Sequence, residues 1–234
     1  MSPLSVLLES TDVFDQSWSF HETGVEHRLL LGWLPAGAPR EVIAACASEL
    51  GMSEAMVDQW SRDAQTADGL GMTLVNHGRS IRLYVQHWDN VSREDVGEVV
   101  YRGYKQLPDG AVRVDEYRYE GDLRETNNLE VAQRTEGARA WIDRVIELCP
   151  ADIPIDFCRI QNTGRSSWLA TARLARLDAG AVLGADFSGR RLLHLAGGVD
   201  ASKGEFATAY VKASRYEAAR LLGLADAELT IDLD

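Results

Sequence analysis

The sequence predicts one α+β domain over residues 1–234, with about ten mostly antiparallel strands in five hairpins that form a helix-wrapped barrel or strongly curled sheet. Five pairs of strand-like runs, each joined by a short segment with turn residues, indicate the hairpins. Helical patterns separate the pairs, and 234 residues fall within the range of single-domain barrels. Because hairpins join antiparallel neighbours and closure removes exposed sheet edges, a barrel is the favoured arrangement.

The strand pairs follow one another along the whole chain. In order they cover residues 17–22 with 25–34, 70–76 with 80–87, 99–105 with 111–119, 156–162 with 167–174, and 190–197 with 205–212. The clearest turn is "QLPDG", where Pro108 sets φ and Asp109-Gly110 supplies a residue with positive φ. A last short strand is a candidate at 228–234.

Amphipathic helical patterns lie between these pairs. The longest covers 127–148, with apolar residues at helical spacing that end before Pro150. Other helices are predicted at 40–50, 53–65 and 214–223, whereas 92–98 and 176–186 are open between helix and loop.

Composition and charge narrow the classes of partner. The net charge of −12 repels polyanions, so we expect no nucleic-acid partner. No run approaches the ~20 apolar residues of a membrane span, and the first ten residues lack the basic region of a signal peptide, so we expect a cytoplasmic protein. Three widely spaced cysteines predict reduced, mostly buried thiols. The sequence indicates no oligomeric state.

The segment "SIRLYVQH", 80–87, indicates what the barrel encloses. Apolar residues alternate with Arg82, Tyr84 and Gln86, and the strand at 205–212 alternates in the same way with Tyr210 and Lys212. If the helices cover the apolar faces, the polar residues point into a solvated lumen. The same parity argument assigns further residues to it, namely Arg113, Asp115, Tyr117 and Tyr119 in the third hairpin, Phe157, Arg159 and Gln161 in the fourth, and Thr171 and Arg173 after them.

These strands, ending in "RLYV" and "AYVK", resemble the ABBA-type aromatic prenyltransferases. The resemblance implies a chamber in which basic strand residues hold an isoprenoid diphosphate and tyrosines shield an allylic cation while an aromatic acceptor is alkylated. The resemblance implies that Arg82 and Lys212 bind the diphosphate and that Tyr84 and Tyr210 shield the allylic cation. The fixed charge and water exclusion that this chemistry needs fit such a lumen. The candidate substrate-binding residues are therefore Arg82, Tyr84, Arg113, Tyr117, Arg159, Arg173, Tyr210 and Lys212.

The residue that would take the acceptor's proton stays open among Glu205, Asp115 and His87, and His87 could form an acid/base pair with Asp89. The sequence contains no phosphate-binding loop, dinucleotide fingerprint, nucleophile elbow or HExxH metal motif. We therefore expect no cofactor, with Mg²⁺ left open as a partner of the diphosphate.

Two other functions are consistent with the sequence. The first is a helix-grip binding or cyclase-type protein, in which an apolar small molecule lies between the sheet and the long helix. The second is an interaction protein with a filled interior and an acidic surface. Whether the chain is an enzyme is thus not decided by its residues alone.

Overall fold

The protein forms a closed barrel of ten antiparallel strands with helices on its outside. A computed structural model describes residues 3–75, 80–88, 94–106, 110–162, 164–201 and 203–223. Each strand pairs with its neighbours in sequence, and the pairing of the first strand with the last closes the barrel. The α+β barrel predicted from the hairpins is therefore confirmed.

The strands are β1 (Val13–His21), β2 (Gly24–Trp33), β3 (Gly69–Val75), β4 (Ser80–Gln86), β5 (Val99–Gln106), β6 (Val112–Asp122), β7 (Asp156–Asn162), β8 (Arg165–Thr171), β9 (Leu192–Asp200) and β10 (Gly204–Lys212). The helices within the described ranges are α1 (Pro3–Ser10), α2 (Arg40–Glu49), α3 (Glu54–Asp63), α4 (Thr126–Gln133), α5 (Glu136–Leu148), α6 (Ala179–Leu183) and α7 (Arg215–Leu221).

The barrel has two different ends. The five short connections within the hairpins β1–β2, β3–β4, β5–β6, β7–β8 and β9–β10 lie at one end, called here the turn end. The connections that carry helices lie at the opposite end, called the helix end. At the turn end, Gly110 has the expected positive φ of 82°, whereas Pro108 and Asp109 lie outside the described residues.

Apolar outer faces of the strands bind the helices. Helices α1, α2, α3 and α7 share one buried cluster with β2, β3 and β4, and it includes Ile81, Leu83 and Val85. The second cluster joins α4, α5 and α6 to β7–β10 and includes Ala207 and Ala209. The predicted orientation of β4 and β10, with these apolar residues on the outside of the barrel, is confirmed. Within the described residues, no helix is long and apolar enough to cross a membrane.

The long helix predicted at 127–148 is two helices. Between α4 and α5, Thr135 adopts an extended conformation with ψ 102°. Its buried hydroxyl accepts a hydrogen bond of 3.0 Å from Trp168 Nε1 on β8. A buried indole N–H needs an acceptor. The helix therefore breaks at Thr135, where the residue contacts Trp168, although the helical spacing of apolar residues continues through this point in the sequence.

The remaining local expectations have different outcomes. Residues 94–98 form turns rather than a helix, and 92–93 lie outside the described residues. The 176–186 segment contains only the short α6, followed by a 3₁₀ turn at Ala185–Phe187. The candidate strand at 228–234 lies outside the described residues. The three cysteines are free and buried, as predicted.

Candidate functional site

The inward-facing residues line a cavity of about 70 Å³ inside the barrel, which opens to solvent at its mouth. Four tyrosines on four different strands line its wall: Tyr84, Tyr101, Tyr117 and Tyr210. The remaining lining residues are Asp15, Ser17, Arg28, Leu30, Gly71, Thr73, Gln86, Leu169, Arg173 and His194. Burial raises the pKa of Tyr101, Tyr117 and Tyr210, so these phenols stay neutral and present uncharged rings to the cavity.

Two glycines leave room for one of these rings. Gly71 on β3 and Gly103 on β5 are the cross-strand neighbours of Tyr84. A Cβ on Gly103 would lie 2.9 Å from Tyr84 Cε1, and one on Gly71 would lie 3.4 Å from Tyr84 Cβ. Gly103 therefore lets the Tyr84 ring lie over β5 instead of projecting across the lumen.

A carboxylate surrounded by cations lies toward the turn end. Glu26 accepts from Arg28 Nε at 2.5 Å and from Arg82 Nη2 at 3.2 Å, and it also pairs with Lys203. Burial by itself raises the pKa of Glu26, but the three cations outweigh it and lower the pKa to about 2. Arg28 also lines the cavity, so this group, the Glu26 cluster, meets the cavity floor through Arg28.

A second carboxylate is fully enclosed beside it. Asp115 accepts from Arg165 at 2.8 Å and from Asn162 at 2.5 Å, and it pairs with Lys105 and Arg113. Its side chain has no exposed surface. Against the effect of burial, Lys105 and Arg165 lead the interactions that lower the pKa of Asp115 to about 2. This Asp115 cluster joins β5, β6, β7 and β8 at the turn end.

The helix end of the cavity carries a different carboxylate. Asp15 on β1 has only 2% of its side chain exposed, and its Oδ2 accepts from Arg173 Nη2 at 3.0 Å. Its Oδ1 is buried and has no hydrogen-bond partner among the described residues. Burial raises the pKa of Asp15 to about 6, although Arg173 and Lys212 act in the opposite direction. A carboxyl group with one free oxygen in an enclosed cavity can accept a proton from a bound molecule.

Most of the predicted site residues face the lumen. Tyr84, Tyr117, Arg173 and Tyr210 line the cavity, and Arg82 and Arg113 belong to the two clusters at the turn end. Their part in substrate binding stays a prediction. Asp15, Glu26 and His194 were missed. The alternation that ends at His21 would have located Asp15 if the predicted strand had started at 13 instead of 17.

The predicted lumen orientation of β7 is wrong. Phe157 packs outside the barrel in the cluster under α5, and Arg159 and Gln161 share that outer face. Arg159 lies in an external groove with Glu116 and Arg118 of β6. Phe157 is the large apolar residue at the end of β7 that α5 covers, and its packing there determines which face of the strand points outward. Cys158 and Ile160 therefore point into the barrel.

Arg82 and Lys212 are not brought together. Arg82 lies near the start of β4 at the turn end, whereas Lys212 is the last residue of β10 at the helix end. Lys212 is exposed and is the cross-strand neighbour of Asp15. The two residues therefore cannot hold the same diphosphate, and the pairing implied by "RLYV" and "AYVK" is wrong in this respect.

Two of the three acid or base candidates from the sequence, Glu205 and Asp115, are not placed to exchange a proton in the cavity. Glu205 lies outside the barrel, where it accepts from the backbone N–H of Gly137 at 3.4 Å. The oxygens of Asp115 are taken by its cluster. The partner proposed for His87, Asp89, lies outside the described residues. Among the residues that the structure describes, no group of three or more His, Cys, Asp or Glu side chains could hold a metal ion.

Structural comparison identifies the architecture. Prenyltransferase PriB, in a ternary complex with L-tryptophan and dimethylallyl thiolodiphosphate, matches with a TM-score of 0.56 over 87% of this chain and 80% of that one, at 14% identity. The 5-dimethylallyltryptophan synthase from Streptomyces coelicolor matches with a TM-score of 0.56 over 87% and 81% of the two chains, at 12% identity. The chain has the fold of the ABBA-type aromatic prenyltransferases.

The similarity is one of fold. No family model matches the sequence, and neither does any curated protein. In this ABBA-type barrel the cavity lies inside a closed sheet, so the helix-grip alternative, with a pocket between sheet and helix, is wrong. The interaction-protein alternative, with no small ligand, stays a prediction.

Proposed function

We propose that the protein transfers a short allylic group from an allylic diphosphate to an aromatic acceptor bound inside the barrel. The observation that carries this proposal is the order of groups along the lumen. Cations lie at the floor, four tyrosine rings form the wall, and the free oxygen of Asp15 lies toward the helix end. The PriB complex with dimethylallyl thiolodiphosphate and L-tryptophan supports the substrate class by analogy of fold.

The reaction needs a leaving group to be stabilised at the floor. The allylic C–O bond breaks, and the diphosphate departs with the bonding electron pair toward Arg28 and Arg82. The described turn-end clusters and their connected ion pairs contain six basic side chains and three carboxylates, in a chain whose net charge is −12. Burial and the neighbouring arginines lower the pKa of Lys105, but even without its charge the basic side chains outnumber the carboxylates. This excess supports binding of an anion.

The wall and Asp15 serve the remaining steps. The allylic cation lies among the rings of Tyr84, Tyr117 and Tyr210, whose faces attract positive charge and exclude water. A ring carbon of the acceptor attacks the cation and forms the new C–C bond. The proton displaced from that carbon passes to the Asp15 carboxylate, which restores the aromatic ring.

Magnesium is not given a step in this proposal. The carboxylates nearest the floor, Glu26 and Asp115, are each held by three cations, so the described residues supply no set of free carboxylates for Mg²⁺ at the floor. The charge at the leaving diphosphate is provided instead by the arginines and lysines of this chain.

A second candidate function is binding of a neutral aromatic molecule without turnover. The ion pairs of Glu26 with Arg28 and Arg82 favour this second candidate, because both arginines already have an anionic partner when the cavity holds no ligand. In that case the tyrosine wall alone would supply the recognition. The two functions differ in whether a diphosphate is consumed.

Turnover with mass detection tests the proposal. Purified protein is incubated with dimethylallyl diphosphate and a panel of indoles, phenols and naphthols, and pyrophosphate release is followed beside the mass of the acceptor. We expect a prenylated product that Asp15→Asn abolishes and that Glu205→Gln, outside the barrel, leaves unchanged. Binding of acceptors without pyrophosphate release in the wild type would contradict transfer and favour the second candidate.

A further inference from the structure

Four side chains form one line of hydrogen bonds at the helix end of the cavity. Thr171 Oγ1 and His194 Nδ1 are 3.0 Å apart, Arg173 Nε donates to His194 Nε2 at 3.2 Å, and Arg173 Nη2 donates to Asp15 Oδ2 at 3.0 Å. Thr171 ends β8, Arg173 begins a 3₁₀ turn at Arg173–Ala175, His194 lies on β9 and Asp15 lies on β1. His194 therefore contacts the only described side chain that donates to Asp15.

The chemistry of arginine assigns the His194 tautomer. A guanidinium has donors and no acceptor, so Nε2 of His194 must be the unprotonated nitrogen. The ring proton is then on Nδ1 and is donated to Thr171 Oγ1. Burial and the adjacent Arg173 lower the pKa of His194 well below its usual value, in agreement with a neutral ring.

Arg173 needs such an anchor. Its side chain is 38% exposed, whereas that of Asp15 is 2% exposed, so the arginine can extend either to solvent or into the cavity. Holding a long, flexible side chain in one conformation costs rotamer entropy unless other contacts fix it. The bond from Nε to His194 fixes the guanidinium, and its Nη2 then reaches Asp15.

We propose that His194 is a positioning residue that, by orienting Arg173, keeps Asp15 in the charged form able to accept the acceptor's proton. The role of His194 in catalysis rests on the proposed function, whereas the hydrogen bonds that join His194, Arg173 and Asp15 do not depend on it. The charged and titratable groups that face Asp15 or line the same cavity are Arg28, Tyr84, Tyr101, Tyr117, Arg173, His194, Tyr210 and Lys212. Of these, Arg173 is the one that His194 holds by a hydrogen bond.

Two NMR measurements on the ligand-free protein test the arrangement. Nitrogen-15 spectra of the imidazoles should show His194 as the neutral Nδ1–H tautomer across neutral pH, and the Nε2–H tautomer would overturn the proposal. Carbon-13 titration of the Asp15 carboxyl, assigned with Asp15→Asn, should move upward by about one pH unit in His194→Leu. His194→Gln, whose amide oxygen can accept from Arg173, should restore most of the wild-type titration.

The contrast between these two variants separates positioning from packing. An Asp15 titration that is equal in wild type and His194→Leu would overturn the proposal, as would equal displacement in the Gln and Leu variants. If His194→Leu does not fold, Arg173→Gln replaces it, because loss of the guanidinium should displace the Asp15 titration in the same direction. A displaced titration without any prenyl transfer by the wild type would contradict the proposed function and leave the positioning role intact.

Discussion

Arg28 donates to Glu26 Oε1 over 2.5 Å at the floor of a tyrosine-walled cavity. An anionic ligand that reaches Arg28 therefore meets a cation that already has a partner. The Glu26 carboxylate lies where it repels a second anion while it orders the arginines that would bind one. The affinity for a diphosphate is thus a balance between preorganised cations and an internal counterion.

Replacement of Glu26 by Gln shifts that balance. We expect Glu26→Gln to bind inorganic pyrophosphate about tenfold more tightly than the wild type, because one negative charge is removed beside Arg28 and Arg82. Isothermal titration calorimetry at low and high salt measures the effect. Glu205→Gln has the same charge change outside the barrel and should bind as the wild type does. Weaker binding by Glu26→Gln would mean that ordering of the arginines outweighs repulsion.

The two turn-end clusters predict loss of stability in acid. The pKa of Glu26 and of Asp115 is lowered to about 2 in the folded chain. A carboxyl group whose pKa is lower in the folded chain than in the unfolded chain stabilises the folded protein at any pH above its unfolded-state pKa. This stabilisation is lost as the pH falls through its folded-state pKa. The free energy of unfolding should therefore fall between about pH 4.5 and pH 2. Urea unfolding across this range measures it.

Removal of one buried charge tests the Asp115 cluster directly. Asp115→Asn leaves Lys105 and Arg165, 5% and 12% exposed, without this counterion, so we expect a loss of about 3–5 kcal/mol in the free energy of unfolding. The acid dependence should also become shallower than in the wild type. A loss below about 1 kcal/mol would indicate a solvated cluster, since exposed ion pairs contribute little.

The hairpins and the orientation of most strands could be predicted because they depend on local alternation and turn residues. The break between α4 and α5 could not, since Thr135 leaves the helical conformation where it accepts from Trp168, a residue distant in sequence. The orientation of β7 failed for a related reason. Its alternation fits either face, and only the packing of Phe157 against Trp168 decides between them.

The site was less predictable than the fold because it depends on which end of the barrel each residue occupies. Arg82 and Lys212 occur in similar tripeptides, yet strand direction places them at opposite ends. The importance of Asp15 follows from its free Oδ1 and its burial. Neither quantity is visible in sequence.

Asp15 should destabilise the protein once it is ionised. Its folded pKa of about 6 exceeds the ordinary value of 3.8, so stability falls as the pH rises through this interval and the penalty persists above it. We expect Asp15→Asn to be more stable than the wild type at pH 8, by about 2–3 kcal/mol, and nearly equal to it at pH 4. Thermal unfolding at both pH values measures this, with Glu205→Gln as the charge control. A gain at pH 4 as large as at pH 8 would assign the effect to packing.

The space above Gly103 should control how far the Tyr84 ring enters the cavity. In Gly103→Ala, the added Cβ would lie 2.9 Å from Tyr84 Cε1, so the ring must move into the lumen and reduce its volume. If allylic diphosphates bind, the ratio of geranyl to dimethylallyl affinity should fall about tenfold, which corresponds to about 1.4 kcal/mol. Gly71→Ala is the matched control, because its Cβ would make an ordinary contact of 3.4 Å with the Tyr84 Cβ. A crystal structure of Gly103→Ala with the Tyr84 ring unmoved, or an equal change of the ratio in both variants, would show that Gly103 does not set the ring position.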